Sequence, residues 1–291
     1  MNIITHVARI LVSVTFIFSG FVKLVDPLGS TYKFEEYFGA DVLNLEFLSP
    51  YALQFSVVLI LAEIMLGFLL LLGFKAKLTV SSLLVITLLF LFLTWYSAYF
   101  DKVTDCGCFG DAITLTPWET FYKNVILIAL IIYLMFKVYH INQIGSDLLI
   151  KRLTFGALFI FLGILFYGLL YLPIIDFRPY AIGKNIPEGM MIPEGAEKPE
   201  FEDTWIYNVN GEDKTFSTED KPWNIEGATF VDRKTRTLVA GYVPPIHDFT
   251  MERDGEDVTE LLMEKEKLML IVAYNLKLTS ERGLKKIKEL S

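Results

Sequence analysis

The sequence predicts an α-helical membrane protein, with a four-helix transmembrane bundle, a fifth transmembrane helix and then a small polar domain of strands and short helices. Three observations predict this class. Hydrophobic residues make up 53% of the chain, including 24 Phe. The apolar runs lie before about residue 173, whereas the remainder is polar and rich in turn residues. The net charge of −8, without a visible basic patch, argues against nucleic acid as a partner.

Five apolar runs are long enough to cross a membrane, which takes about 20 mostly apolar residues. None of them shows the polar face of an amphipathic surface helix. The second and third runs meet at a short turn at residues 73–77, which predicts a helical hairpin. The lipid bilayer is therefore the first predicted partner. The runs cover residues 6–23, 52–74, 78–100, 121–138 and 153–172.

The Lys and Arg residues between the runs predict the orientation, because cytoplasmic loops carry an excess of basic residues. The loops after the second and fourth runs are mainly basic, and those after the first and third are mainly acidic. We expect a multi-pass protein of the bacterial inner membrane with a cytoplasmic N-terminus. The loop after the third run and everything beyond residue 173 would then lie in the periplasm. The first run has no small-residue cleavage site and is predicted to be an uncleaved anchor.

Cys106 and Cys108 are the two cysteines of the chain, and they lie in the loop between the third and fourth runs. An extracytoplasmic compartment permits disulfides. A disulfide between them would close a small, strained ring, which Gly107 relieves because glycine can adopt positive φ. The remaining strain would make the bond easy to reduce. Asp105 and Asp111 flank the pair, and their negative charge disfavours the reactive thiolate form.

Three interpretations of this pair stay open. It could exchange electrons between dithiol and disulfide, or its disulfide could merely hold the shape of the loop. The thiols could instead bind a metal, which would need His247, the carboxylates of Asp105 and Asp111, or a second chain as further ligands. His6 and His140 are predicted on the opposite side of the membrane.

Glu63 is the carboxylate inside the predicted membrane region, roughly 18 Å along its helix from Tyr51. A carboxylate at this depth is costly, so it is expected to be neutralised or paired within the bundle. One interpretation is a proton-handling group beside a hydrophobic electron carrier such as a quinone. The other is a packing hydrogen bond to a hydroxyl of a neighbouring helix, for instance Ser13, Thr15 or Thr87.

Lysines and aromatic residues mark the outer ends of the predicted helices. Lys23 and Lys123 are expected to extend their ammonium groups toward the membrane surface. Trp95, Tyr99 and Trp118 belong to an aromatic belt of the kind found at membrane interfaces. The same three rings are candidates for the walls of a quinone pocket.

Several segments resemble known membrane proteins. Residues 9–12 and 18–27 resemble the start of DoxX-type proteins, and residues 63–73 resemble their second helix. The Cys106-Gly107-Cys108-Phe109-Gly110 loop, followed by a Trp and a helix with Lys123-Asn124, is similar to the MauE branch, named for methylamine utilisation. The resemblance covers about residues 1–140 and implies a four-helix membrane bundle.

The two branches imply different chemistry. MauE-type proteins are linked to disulfide formation or to maturation of periplasmic partner enzymes, and DoxX-type proteins to quinone-coupled oxidation of sulfur compounds. The fifth helix and the outer domain depart from the family pattern. For this reason the resemblance to the MauE branch does not imply a role for this chain in methylamine metabolism itself.

The chain divides into four predicted parts. Residues 1–140 form the bundle, and residues 141–173 form a cytoplasmic loop and the fifth helix. Residues 174–245 are a β-hairpin module, with strands 204–209 and 214–217 joined by Asn210-Gly211, and strands 228–232 and 237–242 joined by residues 233–236. Residues 246–291 hold a short helix at 260–264, an apolar strand at 268–274 and a helix at 280–290.

That last part resembles the opening of a thioredoxin-like domain, but it has no cysteine where such domains carry their active pair. A sheet of this kind would be left with an unpaired edge at residue 291. We therefore expect either a truncated version of a longer protein or completion of the fold by another chain.

Three functions are compatible with the sequence. In the first, Cys106 and Cys108 cycle between dithiol and disulfide, electrons pass to a quinone near Glu63, and a periplasmic protein partner exchanges disulfides with the pair. In the second, the bundle is a non-catalytic anchor that presents an outer binding domain. In the third, the protein is a subunit of a quinone-linked oxidoreductase acting on a sulfur compound, which rests on the DoxX resemblance alone.

Overall fold

The computed structural model consists of two compact units, Met1–Gly183 and Lys184–Ser291. The first contains the helices of the membrane region and the second contains the strands. The structure describes residues 3–100, 102–103, 107–113, 115–197, 200–209, 212–222, 225, 227–239, 241–242, 244–246, 249–265, 268–271 and 280–290.

Five helices of the first unit are long and apolar enough to span a membrane, and they confirm the five predicted runs. Each begins and ends close to its predicted run. They are α1 Ile3–Val25, α3 Ala52–Leu72, α4 Ala76–Phe100, α5 Pro117–Phe136 and α6 Asp147–Leu170.

The structure adds a helix, α2, that the sequence does not predict, and it covers Pro27–Phe38. The side chain of Asp26 caps its first turn by accepting a hydrogen bond from the backbone N–H of Gly29, and Pro27 occupies the first helical position. α2 packs against α3. Short 3₁₀ segments lie at Glu46–Tyr51, Gly110–Ala112 and Val138–His140.

The ends of the long helices follow local sequence signals. Gly73 ends α3 in the left-handed conformation with φ 71°, which confirms the predicted turn between the second and third spans. Thr116 and Glu119 form a reciprocal capping box at the start of α5. Ser146 caps α6.

The bundle core has two apolar clusters. The larger one joins α1, α3, α4 and α5 at residues such as Val12, Leu70, Leu83 and Ile131. The smaller one joins α1, α3 and α6 at Leu24, Ile60, Ile64 and Leu165. We call the end of the bundle where α1 ends and α5 begins the Cys end, because the Cys108 loop lies there.

The fifth spanning helix, α6, lies at the periphery of the bundle. Most of its surface is exposed, with Leu165 and Gly168 as buried contacts near its last turn. A Cβ atom on Gly168 would lie 3.0 Å from the backbone oxygen of Val25 and from Pro27. This close approach holds α6 against the junction between α1 and α2 at the Cys end.

The second unit contains a three-stranded antiparallel sheet with strand order β2-β1-β3. A two-stranded ribbon and short helices follow it in the chain. The elements are α7 Ile186–Met190, β1 Glu200–Val209, β2 Glu212–Ser217, β3 Thr229–Val239, β4 Glu252–Arg253, β5 Glu256–Asp257, α8 Thr259–Met263 and α9 Glu281–Leu290.

The first predicted hairpin is confirmed and the second is wrong. β1 and β2 pair antiparallel from Thr204↔Ser217 to Val209↔Glu212, while the Asn210-Gly211 turn lies outside the described residues. Residues 229–239 form one continuous strand, so residues 233–236 are not a turn. They pair with β1 in the register Trp205↔Arg233 to Glu202↔Arg236. The segment has charge but no Gly, Asn or Asp, the residues that tolerate the positive φ of a tight hairpin turn.

The helices predicted near the C-terminus are confirmed as α8 and α9. The apolar strand predicted at 268–274 is wrong in its described part, because residues 268–271 form neither helix nor strand. Residues 272–279 lie outside the described part of the chain. Among the described residues no strand lies alongside 268–271 to pair with its backbone.

Candidate functional site

The Cys108 loop turns into the Cys end of the bundle. Gly107 has φ 60° and Gly110 has φ 49°, which confirms the expectation that Gly107 adopts positive φ. The N–H of Gly110 donates to the carbonyl of Gly107 at 3.1 Å, and this turn leaves Cys108 only 8% exposed. Cys106 lies outside the described residues.

A buried ion pair lies beneath this loop. The Nζ atom of Lys23 on α1 is 2.8 Å from Oε1 and 2.9 Å from Oε2 of Glu63 on α3. The two side chains are 5% and 1% exposed. The predicted snorkelling of Lys23 is therefore wrong. The long side chain of a helical residue points back toward the helix N-terminus, which carries this ammonium into the bundle.

Ser19 connects the ion pair to the loop. Its hydroxyl lies 2.7 Å from the backbone carbonyl of Cys108 and 3.0 Å from Oε2 of Glu63. It also accepts a hydrogen bond from Nζ of Lys23 at 3.1 Å. The backbone of the cysteine loop and a buried charge pair thus share one hydroxyl group.

The hydroxyls suggested as partners of Glu63 from the sequence do not bond to it. Thr15 donates to the carbonyl of Leu11 at 2.9 Å, and Thr87 donates to that of Leu83 at 2.6 Å. The buried hydroxyl of Ser13 has no hydrogen-bond partner within the described structure. The sequence thus predicts the right class of hydrogen-bond partner for Glu63 but the wrong positions.

Two glycines explain why α1 and α3 are close enough to form the site. A Cβ atom on Gly20 would lie 2.8 Å from the backbone nitrogen of Ile64, and one on Gly67 would lie 2.9 Å from that of Ile17. Small residues of this kind allow membrane helices to approach closely. Ser19 is next to Gly20 and Glu63 is next to Ile64, so this contact sets the spacing of the site.

Two clefts meet at Cys108. The first lies between α2, α3 and α4 and is mainly apolar, with two lysines on its wall. The second lies deeper among α1, α4 and α5 and is more polar. The first is lined by Lys23, Ser30, Lys33, Phe34, Tyr37, Leu59, Phe90, Leu93, Thr94, Gly107 and Cys108. The second is lined by Thr15, Phe16, Ser19, Glu63, Thr87, Phe90, Cys108, Phe109, Lys123, Asn124 and Leu127.

The predicted quinone-binding rings lie elsewhere. Trp95, Tyr99 and Trp118 are 40%, 65% and 45% exposed, on outer faces of α4 and α5. Trp95 stacks on Tyr99 with ring centres 5.7 Å apart. None of the three lines either cleft at Cys108. Their role in binding a quinone stays a prediction.

Lys123 lies beside the loop from the α5 side. Its Nζ atom is 4.2 Å from the ring centre of Phe109, the residue after Cys108. A cation over an aromatic face is stabilised by the ring quadrupole. This contact holds the side chain at the loop and differs from the surface-directed lysine that the sequence predicts.

A second ionic group lies at the Cys end, outside the spanning helices. Arg178 donates from Nε and Nη2 to the carboxylate of Asp176 at 2.8 and 2.7 Å, and its Nε lies 3.8 Å from Asp26. These hydrogen bonds lower the pKa of Asp176 and raise the pKa of Arg178. The segment after α6 is thereby attached to the start of α2.

Sequence reasoning missed Arg9, which lies at the opposite end of α1 and is 4% exposed. Its guanidinium donates to the carbonyls of Leu70 and Leu71 at 2.8 and 2.7 Å, and to that of Asn142 at 3.1 Å. The guanidinium thus satisfies the carbonyl of Leu71 at the end of α3, and it adds a second donor to that of Leu70, which also accepts from the N–H of Gly73. The signal was available, since a charged residue six positions inside a spanning helix requires a partner.

Among the described residues, no group of three or more His, Cys, Asp or Glu side chains could hold a metal ion. The described part of the chain therefore supplies no ligand set for the metal interpretation. Cys106, Asp105 and His247 lie outside it.

Comparison with known proteins assigns a family to the helical bundle. Residues 1–137 match the family described as Methylamine utilisation protein MauE. These residues form a MauE-family domain. The resemblance to the MauE branch over about residues 1–140 is thus confirmed, and with the five spans the chain is a multi-pass membrane protein. The DoxX and thioredoxin-like resemblances stay predictions.

The chain is also similar to Protein TlpB of Flavobacterium psychrophilum, with 29% identity over 157 residues. The alignment covers 53% of this chain and 42% of that protein, so it spans less than half the length of the relative. No solved structure matches the chain.

Proposed function

We propose that this MauE-type membrane protein carries out thiol–disulfide redox chemistry on the extracytoplasmic side of the bacterial inner membrane. Cys106 and Cys108 cycle between dithiol and disulfide. The observation that supports this most directly is the position of Cys108. It is buried in the wall of two clefts, and its carbonyl shares a hydroxyl with the buried Lys23–Glu63 pair.

The chemistry requires an acceptor for two electrons. Oxidation of two thiols to a disulfide forms one S–S bond and releases two electrons and two protons. Reduction of a quinone to its quinol consumes both. We propose a lipid-soluble quinone as the acceptor, because a buried thiol in an apolar cleft of a membrane bundle suits an acceptor that partitions into lipid.

The apolar cleft between α2, α3 and α4 is the proposed place for the quinone ring. Phe34, Tyr37 and Phe90 provide aromatic walls next to Cys108. Lys23 also lines this cleft. Its three N–H donors reach Glu63 and Ser19, so a quinone oxygen would take over one of these hydrogen bonds. The Lys23–Glu63 pair then donates a proton as negative charge develops on that oxygen. Glu63 therefore takes part in proton transfer, as one interpretation of the sequence predicts.

The proposed orientation rests on the charge of the loops. Basic residues concentrate after the second and fourth spans, so the N-terminus is cytoplasmic and the Cys end faces the periplasm. That compartment allows a disulfide to persist. A periplasmic dithiol protein is the proposed partner, because the chain has a single Cys pair and the electrons must come from another one.

Thiol trapping tests the proposal. Cells are quenched in acid and labelled with a membrane-impermeant maleimide of large mass, with and without prior reduction. The Cys106→Ser and Cys108→Ser variants serve as single-thiol controls. The proposal predicts a mixed dithiol and disulfide population that shifts with growth redox conditions. A pair that stays fully oxidised in every condition would indicate a structural disulfide and a non-catalytic anchor instead.

A further inference from the structure

Ser19 has one hydroxyl proton and two acceptors within reach. The carbonyl of Cys108 is at 2.7 Å and Oε2 of Glu63 is at 3.0 Å. A serine hydroxyl donates a single hydrogen bond, and Lys23 already donates to its oxygen. The four residues are all at least nine-tenths buried. The loop carbonyl and the carboxylate therefore compete for the same proton.

The outcome of this competition depends on charge. Hydrogen bonds to an ionised carboxylate are about twice as strong as those between neutral groups. When Glu63 carries its charge, it attracts the Ser19 proton away from the loop. When the Lys23–Glu63 pair becomes neutral, the carbonyl of Cys108 becomes the better acceptor.

The loop can respond to this change. Gly107 and Gly110 flank Cys108 and both have positive φ, a backbone region that glycine occupies without a Cβ penalty. The bond from Ser19 ties the backbone of the cysteine itself between them. Its loss removes the hydrogen bond between the backbone of Cys108 and α1, and its gain fixes Cys108 in the bundle.

We infer that Ser19 is a positioning residue that couples the charge state of the Lys23–Glu63 pair to the accessibility of Cys108. This coupling rests on the proposed function. There, the coupling would hold the Cys108 thiol in place during proton transfer and release the thiol afterwards. Other charged groups of the described structure face the pair. Lys33 lines the first cleft from α2, Lys123 lines the second from α5, and Arg178, Asp26 and Asp111 share a third cleft with Lys23. All of them are retained in the test.

The test measures the alkylation rate of Cys108 in full-length protein carrying Cys106→Ser, so that one thiol is followed. Removing one charge alone risks misfolding, so Lys23→Met and Glu63→Gln are combined to neutralise the pair. With Ser19 present, the neutral pair should slow alkylation roughly five-fold, the factor given by one typical intramolecular hydrogen bond. In the Ser19→Ala protein, the same change should leave the rate unaltered.

Ser13→Ala is the matched control, because Ser13 is a fully buried serine of the same helix without a hydrogen-bond partner in the described structure. It should leave the five-fold effect intact. If neutralising the pair has the same effect in the Ser19→Ala protein as in the protein that retains Ser19, or no effect in either, the coupling is overturned. Since this measurement needs no redox turnover, its failure is distinguishable from failure of the proposed function. Thermal unfolding of the same samples checks that each variant folds.

Discussion

Replacing Lys23 by Met should be among the most damaging substitutions in the bundle. The ammonium contacts both oxygens of the Glu63 carboxylate, which is 1% exposed. Without it, the carboxylate keeps the Ser19 hydroxyl as its described partner. Breaking a buried pair by removing one partner costs about 3–5 kcal/mol, because an uncompensated charge stays buried. For a unit of this size, that lowers the unfolding temperature by roughly 6–20 °C.

The assay is thermal unfolding of the detergent-solubilised protein, compared with two further variants. Lys123→Met removes a lysine from the same end of the bundle, and the contact that it loses in the described structure is a cation–π contact, worth about 0.5–2 kcal/mol. Adding Glu63→Gln to Lys23→Met removes the stranded charge and should restore most of the stability. The reasoning is refuted if Lys23→Met costs no more than Lys123→Met, or if the double variant is no more stable than the single one.

Three further predictions, one of them with a control variant, test the packing and the ionic groups. Gly67→Ala should destabilise the bundle by about 1–3 kcal/mol through overpacking against α1. Gly156→Ala on α6 has open space around it and should instead stabilise the protein by about 0.5–1 kcal/mol in the same unfolding assay, because alanine has the higher helix propensity. Arg9→Lys should lower the unfolding temperature, by the loss of about 2 kcal/mol, because a lysine cannot reach three carbonyls; a value equal to wild type would contradict the capping role. The lowered pKa of Asp176 means that its pairing with Arg178 stabilises the fold above about pH 4 and is lost as pH falls through the lowered pKa. Asp176→Asn should flatten that part of a stability–pH curve, and an unchanged curve would show that the pair contributes nothing.

The spanning helices are predictable because length and continuous apolarity are local properties. The tight turn at Gly73 and the cysteine loop are also visible in the sequence, since glycines mark positive φ. By contrast, α2 is short and carries charged residues, so apolarity alone does not separate it from a loop. Its start signal, Asp26 followed by Pro27, is nevertheless present in the sequence.

The partners inside the site could not be predicted, because they depend on how two helices are rotated and spaced. The sequence identifies Glu63 as a costly buried group, but the identity of its cation requires the contact between α1 and α3. Lys23 lies near a helix end, where a lysine usually reaches the membrane surface. Here the contacts of Gly20 and Gly67 bring the helices together and bury that lysine.

In the second unit, turn residues in the sequence predict the hairpins better than charged runs do. The β4–β5 ribbon turns at Asp254 and Gly255, which have φ 54° and 85°. Asp-Gly is a strong hairpin signal that sequence reasoning missed. The charged run at 233–236 is not a turn, and only its pairing with β1 in the folded sheet decides that it continues as a strand.

Single-turnover quinone reduction tests the central claim most directly. The purified protein is reduced, separated from reductant and mixed with a short-chain quinone, and quinol formation is followed by absorbance. The proposal predicts one quinol per protein as the Cys106–Cys108 disulfide forms, and none from the Cys108→Ser variant. Equal quinol yields from wild type and Cys108→Ser, or oxidation of the pair without quinol, would contradict it.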